Sequence, residues 1–205
     1  VMTWETDNPL AGERSVSVEC ASKDQRGSWD LRVPLAPGPW VFQGWYRTRD
    51  LQADPNKGVD ARVTLVDADG RTIREFHAHG EPSETWKQTT VRFEAPAQTA
   101  AAHVYLFNFF AAGKVWWDDV HLGADTQRIA EIEEETRVNA EALEHARGIL
   151  ESTTDGVIQL AQRAGDSDDW KLLLAALEWA LDDAKLAIDA GLGTQALATL
   201  KDIED

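Results

Sequence analysis

At 205 residues and 43% hydrophobic, the chain is long enough for one domain or two small ones and apolar enough to pack a core. Its net charge of −16 disfavours nucleic acid and anionic membrane surfaces, and no apolar run approaches the ~18 residues of a membrane span. A single cysteine, Cys20, excludes an internal disulfide.

The charge is unevenly placed. Residues 1–123 carry 13 Lys/Arg and 17 Asp/Glu, whereas residues 124–205 carry 7 and 19. Trp runs the other way, with seven of nine before residue 124. Two segments with different physics therefore meet near Gly123. The chain opens Val-Met-Thr-Trp, without a visible signal sequence.

In chain order, Ser15–Glu19 and Trp29–Leu35 alternate apolar and polar residues, and Pro34, Pro37, Gly38 and Pro39 then force a turn. Trp40–Arg49 reads as the longest strand. Ala61–Val66 leads into the hairpin composition Asp67-Ala-Asp-Gly70, and Arg71–His77 returns. Asp54–Gly58 reads as a loop. Thr85–Phe93, His103–Asn108 and Gly113–Leu122 complete eight short strands with no helical pattern between them, which argues for a sandwich or jelly roll. Within the last strand, Asp118 and Asp119 pose a question. Buried, each costs several kcal/mol unless paired or coordinated; exposed, they are an ordinary charged edge. A hard cation is the third reading, since Ca²⁺ takes carboxylate oxygens.

Four stretches carry a family resemblance: Ala11-Gly-Glu-Arg-Ser-Val-Ser-Val18, Pro37-Gly-Pro-Trp-Val-Phe-Gln-Gly-Trp-Tyr-Arg47, Trp86 with Phe93 and Pro96, and Val115-Trp-Trp-Asp-Asp-Val-His-Leu122. Together, in this order, they resemble the jelly-roll carbohydrate-binding modules associated with xylanases. The resemblance implies a structural Ca²⁺ with Asp118 as ligand, although the family's usual first-strand Glu partner has no counterpart in this sequence. It also implies a ligand-stacking Trp on the Trp40–Arg49 strand, a polar ligand contact at Asn108, and a secreted or periplasmic setting.

The residues themselves leave that strand with two faces. Trp40, Phe42, Gly44 and Tyr46 form one, apolar enough for core. Gln43, Trp45 and Arg47 lie on the other, which is either a sugar platform or a solvated face with Arg47 stacked on Trp45. The candidate carbohydrate contacts are thus Trp45, Arg47, Gln43 and Asn108. His77-Ala-His79 sets two imidazoles on one strand face at a spacing compatible with a transition metal. A third ligand is not evident, His103 and His121 being the nearest candidates, and solvated or sugar-contacting histidines are the alternative. No nucleophile elbow, phosphate loop or His-Glu-x-x-His occurs. Asp118 and Asp119 are consecutive and point to opposite faces, a poor acid–base pair.

From Asp125 the period changes. Ile129, Thr136, Leu143, Leu150, Val157 and Ala164, with Ile132, Asn139, Ala146, Thr153 and Leu160, form a heptad seam, about 60 Å long if unbroken at ~1.5 Å per residue. Gly148 and Gly156 make a kink near Ser152–Thr154 conceivable, and Gly165 ends the helix. Asp166 or Ser167 caps a second helix with Asp168 and Asp169 against its dipole, striped by Trp170, Leu174, Leu177, Leu181, Ala184 and Ile188. Gly191-Leu-Gly193 stops it before a short amphipathic piece with Leu197, Leu200 and Ile203.

The expected architecture is a β-jelly-roll carbohydrate-binding module (1–123) followed by an acidic α-helical hairpin (124–205). The hairpin resembles the spacers of large bacterial glycosidases. The expected function is non-catalytic: holding a polysaccharide near a glycan-degrading enzyme, with a homodimer through the helices as a further partner. The rivals are a structural or oligomerisation piece without sugar binding, and a glycan-active enzyme with an unrecognised site.

Overall fold

The described residues of the computed structural model are 1–164 and 168–204, less the side chains of 164, 168–170 and 202–204. The chain divides into two compact units, Val1–Arg128 and Ile129–Asp205. Unit one holds seven strands: β1 (Met2–Glu5), β2 (Ser15–Cys20), β3 (Arg26–Pro34), β4 (Gly38–Val66), β5 (Thr72–Gly80), β6 (Lys87–Ala95) and β7 (Ala101–Ala124). Three helices follow: α1 (Thr126–Ala164), α2 (Asp168–Asp189) and α3 (Gly193–Glu204).

Every strand pairing is antiparallel, in the order β1-β2-β7-β4-β5, with β3 added to β7 and β6 to β4. Where eight short strands are expected from the sequence, two long ones run through the middle. The turn signals that divide them in the sequence mark bends rather than loops. In β4 the bend holds Asp50 (φ 52°), Asn56 (φ 63°) and Gly58 (φ 101°), so Asp54–Gly58 is a bulge inside a strand. In β7 it holds Phe110 (φ 48°) and Gly113 (φ 112°). Pairing continues through both bends, with Gln52 opposite Ala112 and Ala53 opposite Ala111.

The bends fold the network into a sandwich. Layer one contains β1, β2, the second half of β7, the first half of β4, and β6; layer two contains β3, the first half of β7, the second half of β4, and β5. Phe42, Tyr46, Val115 and Trp117 of layer one share a buried core with Val59, Val63, Val104 and Leu106 of layer two. Phe76 stacks on Phe93 across the gap at 4.9 Å, and the Trp29 indole N–H donates to the Ser17 carbonyl. The expected hairpin at Asp67–Gly70 is present, with the Gly70 N–H donating to the Asp67 carbonyl.

Asp125 ends the sandwich and starts α1. Its N–H donates to the Pro39 carbonyl, its carboxylate accepts from the Arg128 N–H as a helix N-cap, and Arg92 Nε lies 3.2 Å away. The first helical turn therefore belongs with the strands, a few residues beyond the compositional change at Gly123.

In unit two, α1 is continuous through Gly148 and Gly156. The Thr136 and Thr154 hydroxyls bond back to the carbonyls of Ile132 and Leu150, which takes up their polarity inside the helix. Ala146 and Val157 of the seam are buried with Leu181, Ala184, Ile188, Ala196 and Leu200. The expected cap at Asp166 or Ser167, the end at Gly165 and the side chains of Asp168, Asp169, Trp170 and Ile203 lie outside the described residues. No helix among the described residues is long and apolar enough to cross a membrane.

The turn after α2 explains the polar seam position. Gly191 (φ 75°) donates to the Ile188 carbonyl and Leu192 donates to the Ala187 carbonyl, the double bond of a Schellman cap. Asn139 of α1 clasps this turn, donating to the Gly191 carbonyl and accepting from the Gly193 N–H. A Cβ on Gly193 would stand 2.4 Å from the Asn139 carbonyl oxygen. We expect Gly193→Ala to destabilise unit two by roughly 1–3 kcal/mol, read as an earlier loss of helical circular dichroism in urea. An unshifted transition would mean the turn relaxes at no cost.

Candidate functional site

Two outer sheet faces present chemistry. On layer one, burial alternates along β4 as its two-faced pattern requires: Phe42, Gly44, Tyr46 and Thr48 are buried, while Val41, Gln43, Trp45 and Arg47 are half-buried. Trp40 is also half-buried, packed at the margin of the core with its indole N–H donated to the Ala36 carbonyl. Trp45 stands between Gln88 of β6 and Asp118 of β7, Gln43 is opposite His121, and Arg47 is opposite Trp116.

Arg47 is already engaged. Its guanidinium lies 4.4 Å from the ring centre of Trp116 and 5.2 Å from that of Trp86, and it donates to the Asp7 carbonyl. The alternative that stacked Arg47 on Trp45 is thus met by a stack on two other indoles. Beside it, the Lys114 ammonium, helped by the Ser17 hydroxyl, holds Glu5 below the usual carboxylate range. A depressed carboxylate supports folding above its unfolded value and loses that support as pH falls through the folded one.

Asp118 is 8% exposed, yet it is not short of partners. One carboxylate oxygen accepts from the Leu10 and Ala11 N–H groups, and the other accepts from the Asp119 N–H. These bonds latch the segment between β1 and β2 onto β7. They also answer the burial problem that motivated a cation. A hard cation seeks oxygen ligands, and N–H donors converging on the same carboxylate do not suit it. The residues around Asp118 do not fit a Ca²⁺ site.

Asn108 is not brought to the other three candidates. It is fully buried between Gly27 and Val59, and its amide donates to the Gly113 carbonyl across the bend of β7. Burial removes it from any sugar contact and gives it the work of holding that bend.

The outer face of layer two is the set that sequence reasoning missed. Alternate residues of β7 place His103, Tyr105, Phe107 and Phe109 in one row, with successive ring centres 6.2, 5.6 and 5.5 Å apart. Their cross-strand neighbours are Arg26, Ser28, Asp30 and Arg32 on β3, and Gly58, Asp60, Arg62 and Thr64 on β4. A groove of about 430 Å³ opens here, with Tyr105 and Phe107 between Arg26, Ser28, Arg62, Thr64 and Glu75. Arg62 lies 5.0 Å over Phe107, and its buried Nε has no hydrogen-bond partner. The signal was the every-second-residue aromatic spacing from His103 to Phe109, visible only once the strand is extended past Asn108. A second groove of about 410 Å³ is lined largely by Trp4, Val16, Trp29, Leu31 and core residues, with Arg14, Asp30, Asp118 and Asp119 as its charged groups.

No protein-family model matches the sequence, and no curated protein matches it. Solved structures do. The enzymatically active domain of tailspike protein 4 from bacteriophage CBA120 is similar at 12% identity and TM-score 0.51, over 60% of this chain and 18% of that one. A family 16 carbohydrate-binding module is similar at 14% identity and TM-score 0.46, over 60% of this chain and 84% of that one. A xylan-binding domain from Paenibacillus barcinonensis follows at 12% and 0.44, over 60% and 80%. This chain thus spans less than a fifth of the tailspike's length. At these identities the likeness is one of fold, and the fold is the β-sandwich.

We expect Asp118→Ala to cost about 0.5–1.5 kcal/mol, because the N–H groups of Leu10 and Ala11, in an exposed segment that water can reach, lose their carboxylate acceptor. Adding Ca²⁺ to metal-free protein should leave the melting temperature unmoved. A rise with Ca²⁺ that Asp118→Ala abolishes would restore the ion at this carboxylate.

Proposed function

We propose that the chain is a carbohydrate-binding module and that its sugar lies on the outer face of layer two. The groove over Tyr105 and Phe107 carries this reading. Sugars present C–H faces that pack on aromatic rings and hydroxyls that need both donors and acceptors. Arg26 and Arg62 supply donors, Ser28 both a donor and an acceptor, and Glu75 and Thr64, whose hydroxyl already donates to Glu75, acceptors. The sandwich fold and the four motifs that resemble xylanase-associated modules support the same reading. By that resemblance the module holds a polysaccharide close to an associated glycan-degrading enzyme and is itself non-catalytic, with the helical unit as spacer.

The face of Gln43, Trp45 and Arg47 is the second reading, favoured by a half-exposed Trp45 flanked by Gln88. Affinity electrophoresis in a polysaccharide panel, followed by titration of the retained glycan, separates the two. We expect Tyr105→Ala to weaken binding on the order of tenfold, about 1.4 kcal/mol, and Arg62→Ala by about 0.5–1.5 kcal/mol, while Trp45→Ala binds as wild type. Loss confined to Trp45→Ala would move the site to layer one. Retention on no polysaccharide would reject sugar binding.

Self-association through the helices has one observation in its favour. Leu172, Trp179 and Leu186, seven residues apart on α2, are 73%, 74% and 68% exposed. We expect sedimentation at high concentration to show a dimer that Trp179→Glu dissociates; a monomer at every concentration would reject it.

A further inference from the structure

We infer that Asp60, His77 and His79 form a binding site for a divalent transition cation of the Zn²⁺ type, independent of the sugar reading. Asp60 projects from β4 on the outer face of layer two, directly opposite His79 of the edge strand β5, with His77 two residues before it on the same face. The third ligand absent from the sequence pattern is therefore a carboxylate from the neighbouring strand. His103 is instead stacked in the aromatic row, and His121 is opposite Gln43 in the other layer.

The carboxylate carries the argument. Asp60 has no exposed surface, and a buried charge requires close partners. Its contacts are all long: 3.2 and 3.3 Å to His77 Nδ1, 3.4 Å to His79 Nδ1, and 3.6 Å to Arg62 Nη2. Charge-assisted hydrogen bonds are shorter, about 2.7–2.9 Å. The separations suit a different geometry. Four-coordinate Zn²⁺ bonded at about 2.0–2.2 Å holds its ligand atoms roughly 3.3 Å from one another. Asp60 Oδ1 stands 3.3 Å from His77 Nδ1 and 3.4 Å from His79 Nδ1, so these atoms define two edges of that tetrahedron.

The remaining parts are consistent with this. The two imidazoles are nearly parallel, 18° apart with ring centres 5.5 Å apart, and the three ligand atoms lie within 4.8 Å of one another. Arg62 sits at the other carboxylate oxygen, Oδ2, where it orients the ligand without occupying the metal's vertex. The histidine side chains are 34% and 47% exposed, which leaves an entry path and a fourth position for water. Two imidazoles and one carboxylate favour Zn²⁺, Ni²⁺ or Cu²⁺ over Ca²⁺ or Mg²⁺.

The test uses the whole chain, stripped with chelator and titrated calorimetrically with Zn²⁺ alone, with Co²⁺ as the spectroscopic probe. We expect one Zn²⁺ per chain, a Co²⁺ spectrum of tetrahedral type, and a loss of affinity of about tenfold or more in His77→Ala and in His79→Ala. Both positions are partly exposed, so the variants keep the fold even where Asp60→Asn disturbs it. His103→Ala and His145→Ala serve as controls and should bind as wild type. No stoichiometric Zn²⁺ binding, or binding that survives the double His77→Ala/His79→Ala change, overturns the inference. Retention on polysaccharide is measured separately without metal, so the two proposals fail independently.

Discussion

The structure depends on one constraint: β4 and β7 stay paired while both bend. Each strand contributes one half to each layer, so the two sheets are joined by continuous hydrogen-bonded backbone rather than by loops. A bend in only one strand would break the ladder and leave buried N–H and C=O groups unpaired. The left-handed residues at Asp50, Asn56, Gly58, Phe110 and Gly113 make the matched bend sterically reachable. Asn108 then ties the β7 side with a side-chain bond where the main chain cannot.

From that joint follows the placement of chemistry. With the inner faces committed to the core, polar and aromatic residues are left for the two outer faces. On layer one, the segment between β1 and β2 is latched to Asp118 and hydrogen-bonded to Arg47, so much of the polar inventory is spent on structure. Layer two has no such strap described over it. Its aromatic row and its titratable cluster of Asp60, His77 and His79 remain available, which is why both proposals fall there.

Much of the fold was legible in the sequence because alternation and turn residues are local signals. The Phe42–Tyr46 face and the heptad rows through Ala146 and Val157 come from spacing, and the hairpin at Asp67–Gly70 from turn composition. The continuity of β4 and β7 was not legible, since Asp54-Pro-Asn-Lys-Gly58 has the composition of a loop whether or not a partner strand accompanies it. The candidate site was less legible still. Asn108 is polar, and only its register beside Val59 shows that it points inward. Asp60 sits in an unremarkable run, and its meeting with His77 and His79 depends on a cross-strand pairing that one strand cannot reveal.

The joint has a kinetic consequence. Pairing Trp40 with Ala124 and Val66 with Ala101 brings together residues far apart in the chain, and the entropy of closing those loops is spent before any contact rewards it. Topologies of this kind form on millisecond-to-second scales, whereas helical units built on local contacts form in microseconds to milliseconds. The α1–α3 unit is thus expected to be complete while the strands are still unpaired. Throughout that interval the apolar edges of β4 and β7 stand open, tethered to a helical unit that is already folded.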